Sequence, residues 1–248
     1  HRKHHARVET AEDPHSPQQY GIRKVLLEGA ELYRNEARNV QTLRQFGHET
    51  PDDWLERRIY SGHSYSGIVV MLIINLLLFG FAGITIWAVQ MAWSPVFAAG
   101  IINGAGHWWG YRNFEPADAS TNIFPIGVLI GGEELHNNHH AFASSARFSS
   151  RWYEFDMGWM YICLLQAFRL ARVRKLAPRP VLDYQRELID VDTLKAVVAN
   201  RLHVMSHYAS TVITRVCREE KARADIAGKR MLRRARRLLI RHHMMLDD

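Results

Sequence analysis

GIVVMLIINLLLFGFAGITIWAVQMAWSPVFAAGIINGAG, residues 67–106, decides the fold. It lies inside a longer stretch, Ile59 to Tyr111, that contains no Asp, Glu, Lys or Arg. One helix needs about 20 apolar residues to cross the hydrocarbon layer of a bilayer. The run therefore has room for two spans joined by a tight turn, and Gly67–Ile86 going out with Trp87–Gly106 coming back is the expected division. Trp87 and Trp93 are expected near the far interface, and Pro95 is expected to kink the return helix. A pair of buried helices in a water-soluble protein would carry polar faces. This run has none, so the membrane is the preferred setting.

A hairpin brings the chain back to the side it left. The flanks, 1–58 and 112–248, are both rich in Lys and Arg, which puts them on the cytoplasmic side by the positive-inside rule. In the first flank, Gln18–Phe46 reads as one amphipathic helix with Ile22, Val25, Leu26, Leu32, Tyr33, Val40, Leu43 and Phe46 mainly on one face. Gly47 follows as a stop. Beside a hairpin this helix is expected to lie at the interface. In the second flank, Asp156–Lys175 is apolar with a basic end, and Pro178 and Pro180 mark a boundary. Asp192 is expected to cap a tail helix that keeps Leu194, Val197, Val198, Leu202, Met205, Val212 and Val216 at helical spacing. The last stretch, Lys229 to His243, is strongly basic. The resulting division is 1–58, a cytoplasmic segment with its amphipathic helix; 59–111, the hairpin; 112–180, a second cytoplasmic segment; and 181–248, a basic helical tail.

The net charge of +7 suits an anionic membrane face or nucleic acid, and with a hairpin present no nucleic-acid partner is expected. Cys163 and Cys217 stand far apart, which is no disulfide framework. The chain opens on His1, already inside a motif and without an initiator Met, so the sequence is expected to continue upstream.

Fourteen histidines are many for 248 residues, and they cluster. The first group is His1-Arg2-Lys3-His4-His5, the second Asn103-Gly104-Ala105-Gly106-His107, and the third His136-Asn137-Asn138-His139-His140. On a helix, positions i, i+3 and i+4 face one way, so each H-x-x-H-H group can aim three imidazoles at one point. Asn103 and His107 share a face by the same rule. Seven imidazoles exceed what one tetrahedral zinc ion takes, and imidazole alone does not choose among iron, copper, nickel and zinc. Glu133 and Glu134 precede the third group and Asp13 follows the first, as carboxylates that can receive the outer ring N–H of a ligating histidine. His15 can stand behind the site or face substrate. Trp108 and Trp109, beside His107, are candidates for lining an apolar channel or for an interface anchor. Arg2, Lys3, Arg7, Arg23 and Lys24 form a cationic cluster able to meet the phosphates of a ligand or of a phospholipid head group. His203 and His207, though four apart, read as surface residues.

The three groups, together with G-G-E-E-L-H-N-N-H-H (131–140), E-D-P-H-S-P (12–17) and G-Y-R-N-F (110–114), resemble the membrane-bound fatty acyl desaturases, especially the bacterial delta-9 branch. The likeness runs from His1 to about Lys175. It implies an all-α integral membrane protein with four spans and a cytoplasmic cap, in which nine histidines bind two ferrous ions. Carried over by motif, His1, His4, His5, His107, His136, His139 and His140 are the implied ligands, with Asn103 acting through a water. The family's first histidine box and first two spans are implied to lie upstream of His1. The implied reaction is oxygen-dependent formation of a cis double bond in an acyl-CoA or phospholipid acyl chain. Electrons would come from a ferredoxin, rubredoxin or cytochrome-type donor, and the setting is a bacterial inner membrane with the site facing the cytoplasm. Two readings stand beside it: a histidine-box hydroxylase of alkanes or sphingolipids, and a non-catalytic membrane metal-binding protein.

Overall fold

In the computed structural model the charge-free run folds back on itself at Gly80. The structure describes residues 1–48, 50, 52–63, 65–181 and 189–241. His242 and His243, the end of the basic stretch, lie outside them. The chain divides into two compact units, His1–Trp108 and Trp109–Asp248.

The first unit begins with α1 (Arg2–Arg7), which carries the first histidine group. The single amphipathic helix expected over Gln18–Phe46 is three helices: α2 (Pro17–Tyr20), α3 (Ile22–Ala37) and α4 (Val40–Phe46). Local chemistry makes both breaks. Gly21 adopts φ +81°, a left-handed turn that admits glycine readily. Asn39 turns its side chain onto the backbone N–H groups of Gln41 and Thr42, a cap that starts α4 afresh. The stop at Gly47 holds, its N–H closing the helix on the Leu43 carbonyl.

The hairpin consists of α5 (Ser66–Phe79) and α6 (Ala82–Trp93). The turn falls at Gly80, φ +57°, and not between Ile86 and Trp87. Trp87 is therefore mid-helix, where its indole N–H donates to the Ile68 carbonyl at 3.0 Å and fastens the two arms together. A second fastening is polar: Asn75 donates to the Gln90 side chain at 3.0 Å, opposite Gly83, whose bare backbone lets the arms meet. The earlier turn makes the arms unequal. α5 has 14 residues, about 21 Å of helix, whereas helix runs unbroken for 24 residues from Ala82 to Ala105, about 36 Å. Among the described residues, this second arm is the one helix long and apolar enough to cross a bilayer, and only 11% of its apolar window is buried. A core helix of a water-soluble protein would be buried. Leu77 and Phe81, 80% and 91% exposed, show the same outward-facing apolar surface near the turn.

From Ser94 to Ile102 the long arm widens to i→i−5 hydrogen bonding, starting at Pro95, which has no N–H to donate. It returns to α-helix as α7 (Asn103–Ala105). α3 packs on this stretch: a Cβ on Gly29 would lie 2.2 Å from the Ala99 carbonyl oxygen, and one on Gly100 2.7 Å from that of Leu26. The helix expected at an interface is thus joined backbone to backbone to the end of the long arm. Val25 and Ile102 are buried there.

The second unit is also helical, with one two-residue parallel pair, β1 (Ile126–Gly127) and β2 (Phe155–Asp156), among its described residues. Its helices are α8 (His136–Ala141), which carries the third histidine group, α9 (Met157–Ala167), α10 (Val191–Ala199), α11 (Arg201–Tyr208), α12 (Thr214–Arg223) and α13 (Ile226–Arg241). The tail helix is capped by Asp190, whose side chain accepts from the Thr193 N–H, and not by Asp192. It breaks at Asn200 and loosens into i→i−5 turns over Ala209–Ile213. Phe114, Leu135, Ile213 and Cys217 are buried, but most of the interior around α8 is polar.

Candidate metal centre

In the first unit, α1 aims His4 inward and leaves His1 exposed. Asp13, fully buried, takes the Nδ1 side of His4 at 2.9 and 3.0 Å, and its carboxylate also accepts the N–H groups of Glu9 and His15. His107, buried beyond α7, has Glu9 at 3.4 Å from its Nδ1. A carboxylate on Nδ1 fixes that nitrogen as the proton carrier, so Nε2 presents a lone pair. The Nε2 atoms of His4 and His107 lie 3.2 Å apart, and those of His1 and His5 3.0 Å. Two lone pairs at such a distance repel unless a cation or proton sits between them. The His4 and His107 pair thus has the chemistry of two neighbouring ligands of one metal ion. Asn103 is buried four residues before His107, its amide 3.4 Å from the Ala99 carbonyl.

His15 lies against His4, ring centroids 4.3 Å apart, and stacks on Tyr33 at 4.8 Å. Burial, reinforced by the charge His4 would carry, pushes its pKa down to about 2, so it is a neutral ring. His4, Asp13 and His15 place possible ligand atoms within 4.8 Å of one another. The Asp13 oxygens are already engaged, however, and the trio is better described as a hydrogen-bonded support for His4 than as a third ligand set.

In the second unit, α8 presents His136, His139 and His140, with possible ligand atoms of His136 and His140 within 4.8 Å of each other. Asp118 stands 3.0 Å from Nδ1 of His140, and Glu133 3.6 Å from Nδ1 of His136. Glu134 points elsewhere: its carboxylate accepts the N–H groups of Leu129 and Ile130 and holds the turn before α8. His139 packs on Phe148.

The two asparagines between the histidines anchor the helix. Asn137 accepts from the N–H groups of Asn113 and Phe114 and donates to the carbonyls of Phe114 and Ser120. Asn138 accepts from Asn113 and Asn122 and donates to Glu154 at 2.9 Å. Glu154 also accepts from the Tyr111 hydroxyl at 2.7 Å, and burial, with Glu154 next, raises the Tyr111 pKa. Arg112 bonds Glu115 and the carbonyls of Asp118 and Ser120, setting the loop from which Asp118 reaches His140. The stretch Gly110–Phe114 therefore serves as scaffold for α8.

His203 is half-buried. It stacks on Phe142, just past α8, and meets Phe114 edge-on, both at 5.1 Å, and burial lowers its pKa. Three residues on, Ser206 donates to the Asn113 carbonyl at 2.5 Å and accepts from Arg151. α11 thus braces the third histidine group, whereas His207 is exposed. Three of the five residues of the first flank's basic cluster are already engaged. Lys3 pairs with Glu36 at 2.8 Å, Arg7 with Glu12 at 3.1 Å, and Arg2 donates to the carbonyls of Phe46 and His48. Trp108 and Trp109 are both exposed.

Three of the seven grouped histidines, His4, His107 and His140, thus have a carboxylate within hydrogen-bond distance of Nδ1, while Glu133 stands farther off, 3.6 Å from that of His136. Two of those carboxylates, Glu9 and Asp118, carry no signal in the sequence. This arrangement defines a class: a helical protein whose histidine clusters can hold metal. The comparisons make the class specific. The family model described as fatty acid desaturase matches residues 1–159. The sn-1 stearoyl-lipid 9-desaturase of Anabaena variabilis is 42% identical over 94 residues, 38% of this chain and 32% of that protein. An acyl-CoA 5-desaturase of Anemone leveillei is 31% identical over 184 residues, 69% of this chain and 52% of that protein. A probable chloroplastic lipid desaturase of Arabidopsis thaliana is 29% identical over 182 residues, 71% of this chain and 48% of that protein. No solved structure matches. The chain belongs to the fatty acid desaturase family. It spans between 25% and 58% of the length of the relatives first matched.

Proposed function

We propose that the protein introduces a cis double bond, at the delta-9 position, into a fatty acyl chain carried by CoA or a phospholipid. The reading rests above all on the three carboxylate-backed imidazoles of His4, His107 and His140. His1, His4, His5, His107, His136, His139 and His140 would hold two iron ions, with Asn103 acting through a water. The donor set fits: neutral imidazoles suit iron, and carboxylates behind them raise their basicity. Bound iron supplies the oxygen chemistry that the side chains lack. In the balanced reaction, two hydrogens from adjacent acyl carbons join two electrons from a ferredoxin, rubredoxin or cytochrome-type donor and two protons from solvent to reduce one O2 to two waters.

The chain's own residues orient and shield. Asp13, Glu9 and Asp118 keep protons on the outer ring nitrogens of His4, His107 and His140, and the asparagine network around Glu154 holds α8 in place. The hairpin would sit in a bacterial inner membrane with the site on the Lys- and Arg-rich cytoplasmic side, so that an acyl chain enters from lipid. Trp108 and Trp109 would meet that chain. Since Lys3 is tied to Glu36, a carrier phosphate would be met first by Arg7, 48% exposed.

The test is expression of the full-length protein in a strain lacking unsaturated fatty acids, with lipid profiling and metal analysis. A new alkene with bound iron supports the proposal. An alcohol would point to a hydroxylase, and bound zinc with no oxygen consumption to a non-catalytic protein.

A further inference from the structure

α13 is sharply two-faced. Ile226–Arg241 contains seven Lys and Arg and no Asp or Glu. At about 100° per residue, Met231, Leu232, Ala235 and Leu239 fall within an arc of roughly 100°. Lys229, Arg230, Arg233, Arg234 and Arg236 occupy the opposite side, which Ile226 and Ile240 share by angular position. Part of the apolar face is used at home. Leu232 and Ala235 are half-buried, α13 packs against α12, and Arg236 reaches the Thr214 hydroxyl at 3.5 Å. The rest is uncovered, with Met231 74% and Leu239 61% exposed.

We propose that α13 lies along an anionic bilayer surface, with the Met231–Leu239 ridge among the upper acyl carbons and the basic arc at the lipid phosphates. A nucleic acid would use the basic arc but leave the ridge in water. A bilayer takes both, because long Arg and Lys stems lie along apolar surface while their heads stay with phosphate. A bilayer is also at hand, since the same chain carries the Ala82–Ala105 helix. The inference does not depend on the reaction catalysed.

It can be tested with the full-length protein in nanodiscs, carrying an environment-sensitive fluorophore at Met231→Cys in a Cys163→Ser background; Cys217 is buried and left in place. Blue-shifted emission, quenched by head-group nitroxide lipids, is expected in discs of phosphatidylcholine with phosphatidylglycerol. The shift should weaken in phosphatidylcholine alone and at high salt. Each basic residue near an anionic surface is worth about a fivefold change in binding, so Arg230→Glu with Arg234→Glu should lower surface occupancy at least about tenfold. Both side chains are exposed, so the fold is not at stake, and unchanged circular dichroism confirms it. An unshifted probe in the phosphatidylglycerol discs would overturn the proposal, as would an equal shift in both lipids. A shift produced by an oligonucleotide and not by lipid would assign the arc to nucleic acid instead.

Discussion

The two H-x-x-H-H groups have the same spacing but stand on different foundations. Around His1–His5 the support is local: Asp13, nine residues from His4, and His15 beside it come from the turn after α1. Around His136–His140 the support is gathered from far along the chain, with Asn113, Asn122 and Glu154 all converging on Asn137 and Asn138. One group is held by a single multiply bonded carboxylate, the other by a mesh of neutral amides around Glu154. A buried amide mesh is costly to leave half satisfied, so the second group should be the more rigid and the less forgiving of change.

The largest effect should ignore this difference. His4→Ala and His139→Ala should each abolish the alkene product while the protein stays in the membrane. Lipid profiling with iron analysis checks this, and activity retained by either variant removes that residue from the ligand set. Next come the carboxylates. Asp13→Asn and Asp118→Asn should each lower iron affinity or turnover about 10- to 100-fold, the usual cost of losing the partner behind a ligating histidine. Equal losses would mean that the carboxylate matters more than its setting.

The foundations themselves separate on melting. Asn138→Ala should strip Glu154, Asn113 and Asn122 of a shared partner and cost about 1–3 kcal/mol, lowering the unfolding temperature. The smallest effect is a pH dependence. His203 is held with its pKa lowered by burial, so below its ordinary value of about 6.5 the undocked state takes up a proton that the docked state refuses. Docking of α11 is therefore complete above that pH and weakens as pH falls through it. Lower protection factors over Arg201–Tyr208 at mildly acidic pH, that is, hydrogen-exchange rates corrected for their intrinsic base catalysis, are the expected observation and should be absent in His203→Phe; protection factors independent of pH would refute it.

The histidine groups could be read directly because i, i+3, i+4 spacing is a one-dimensional pattern, and the hairpin could be read because a charge-free run is too. The position of its turn could not. Gly80 and the Ile86–Trp87 step both divide the run plausibly, and Trp87 settles the matter by a hydrogen bond across the arms that only the folded pair reveals. Glu9 and Asp118 were invisible for a similar reason: they meet His107 and His140 across 98 and 22 residues, distances over which spacing carries no information. His203 looked like a surface residue because nothing near it in sequence announces Phe114 and Phe142. The breaks at Gly21 and Asn39 were within reach, since a glycine and an asparagine at those points are known local signals.

The widened turns at Ser94–Ile102 act as a phase adjuster. Upstream, the long arm leaves its apolar side chains exposed; downstream it must deliver Asn103 and His107, both buried, to a polar interior. A uniform α-helix would carry one angular phase from end to end. Deleting a single residue from this stretch would rotate everything after it by about 100°, sending His107 away from His4 with no change to either histidine. How far the chain tolerates insertion and deletion there is thus set by angle, and hardly at all by length.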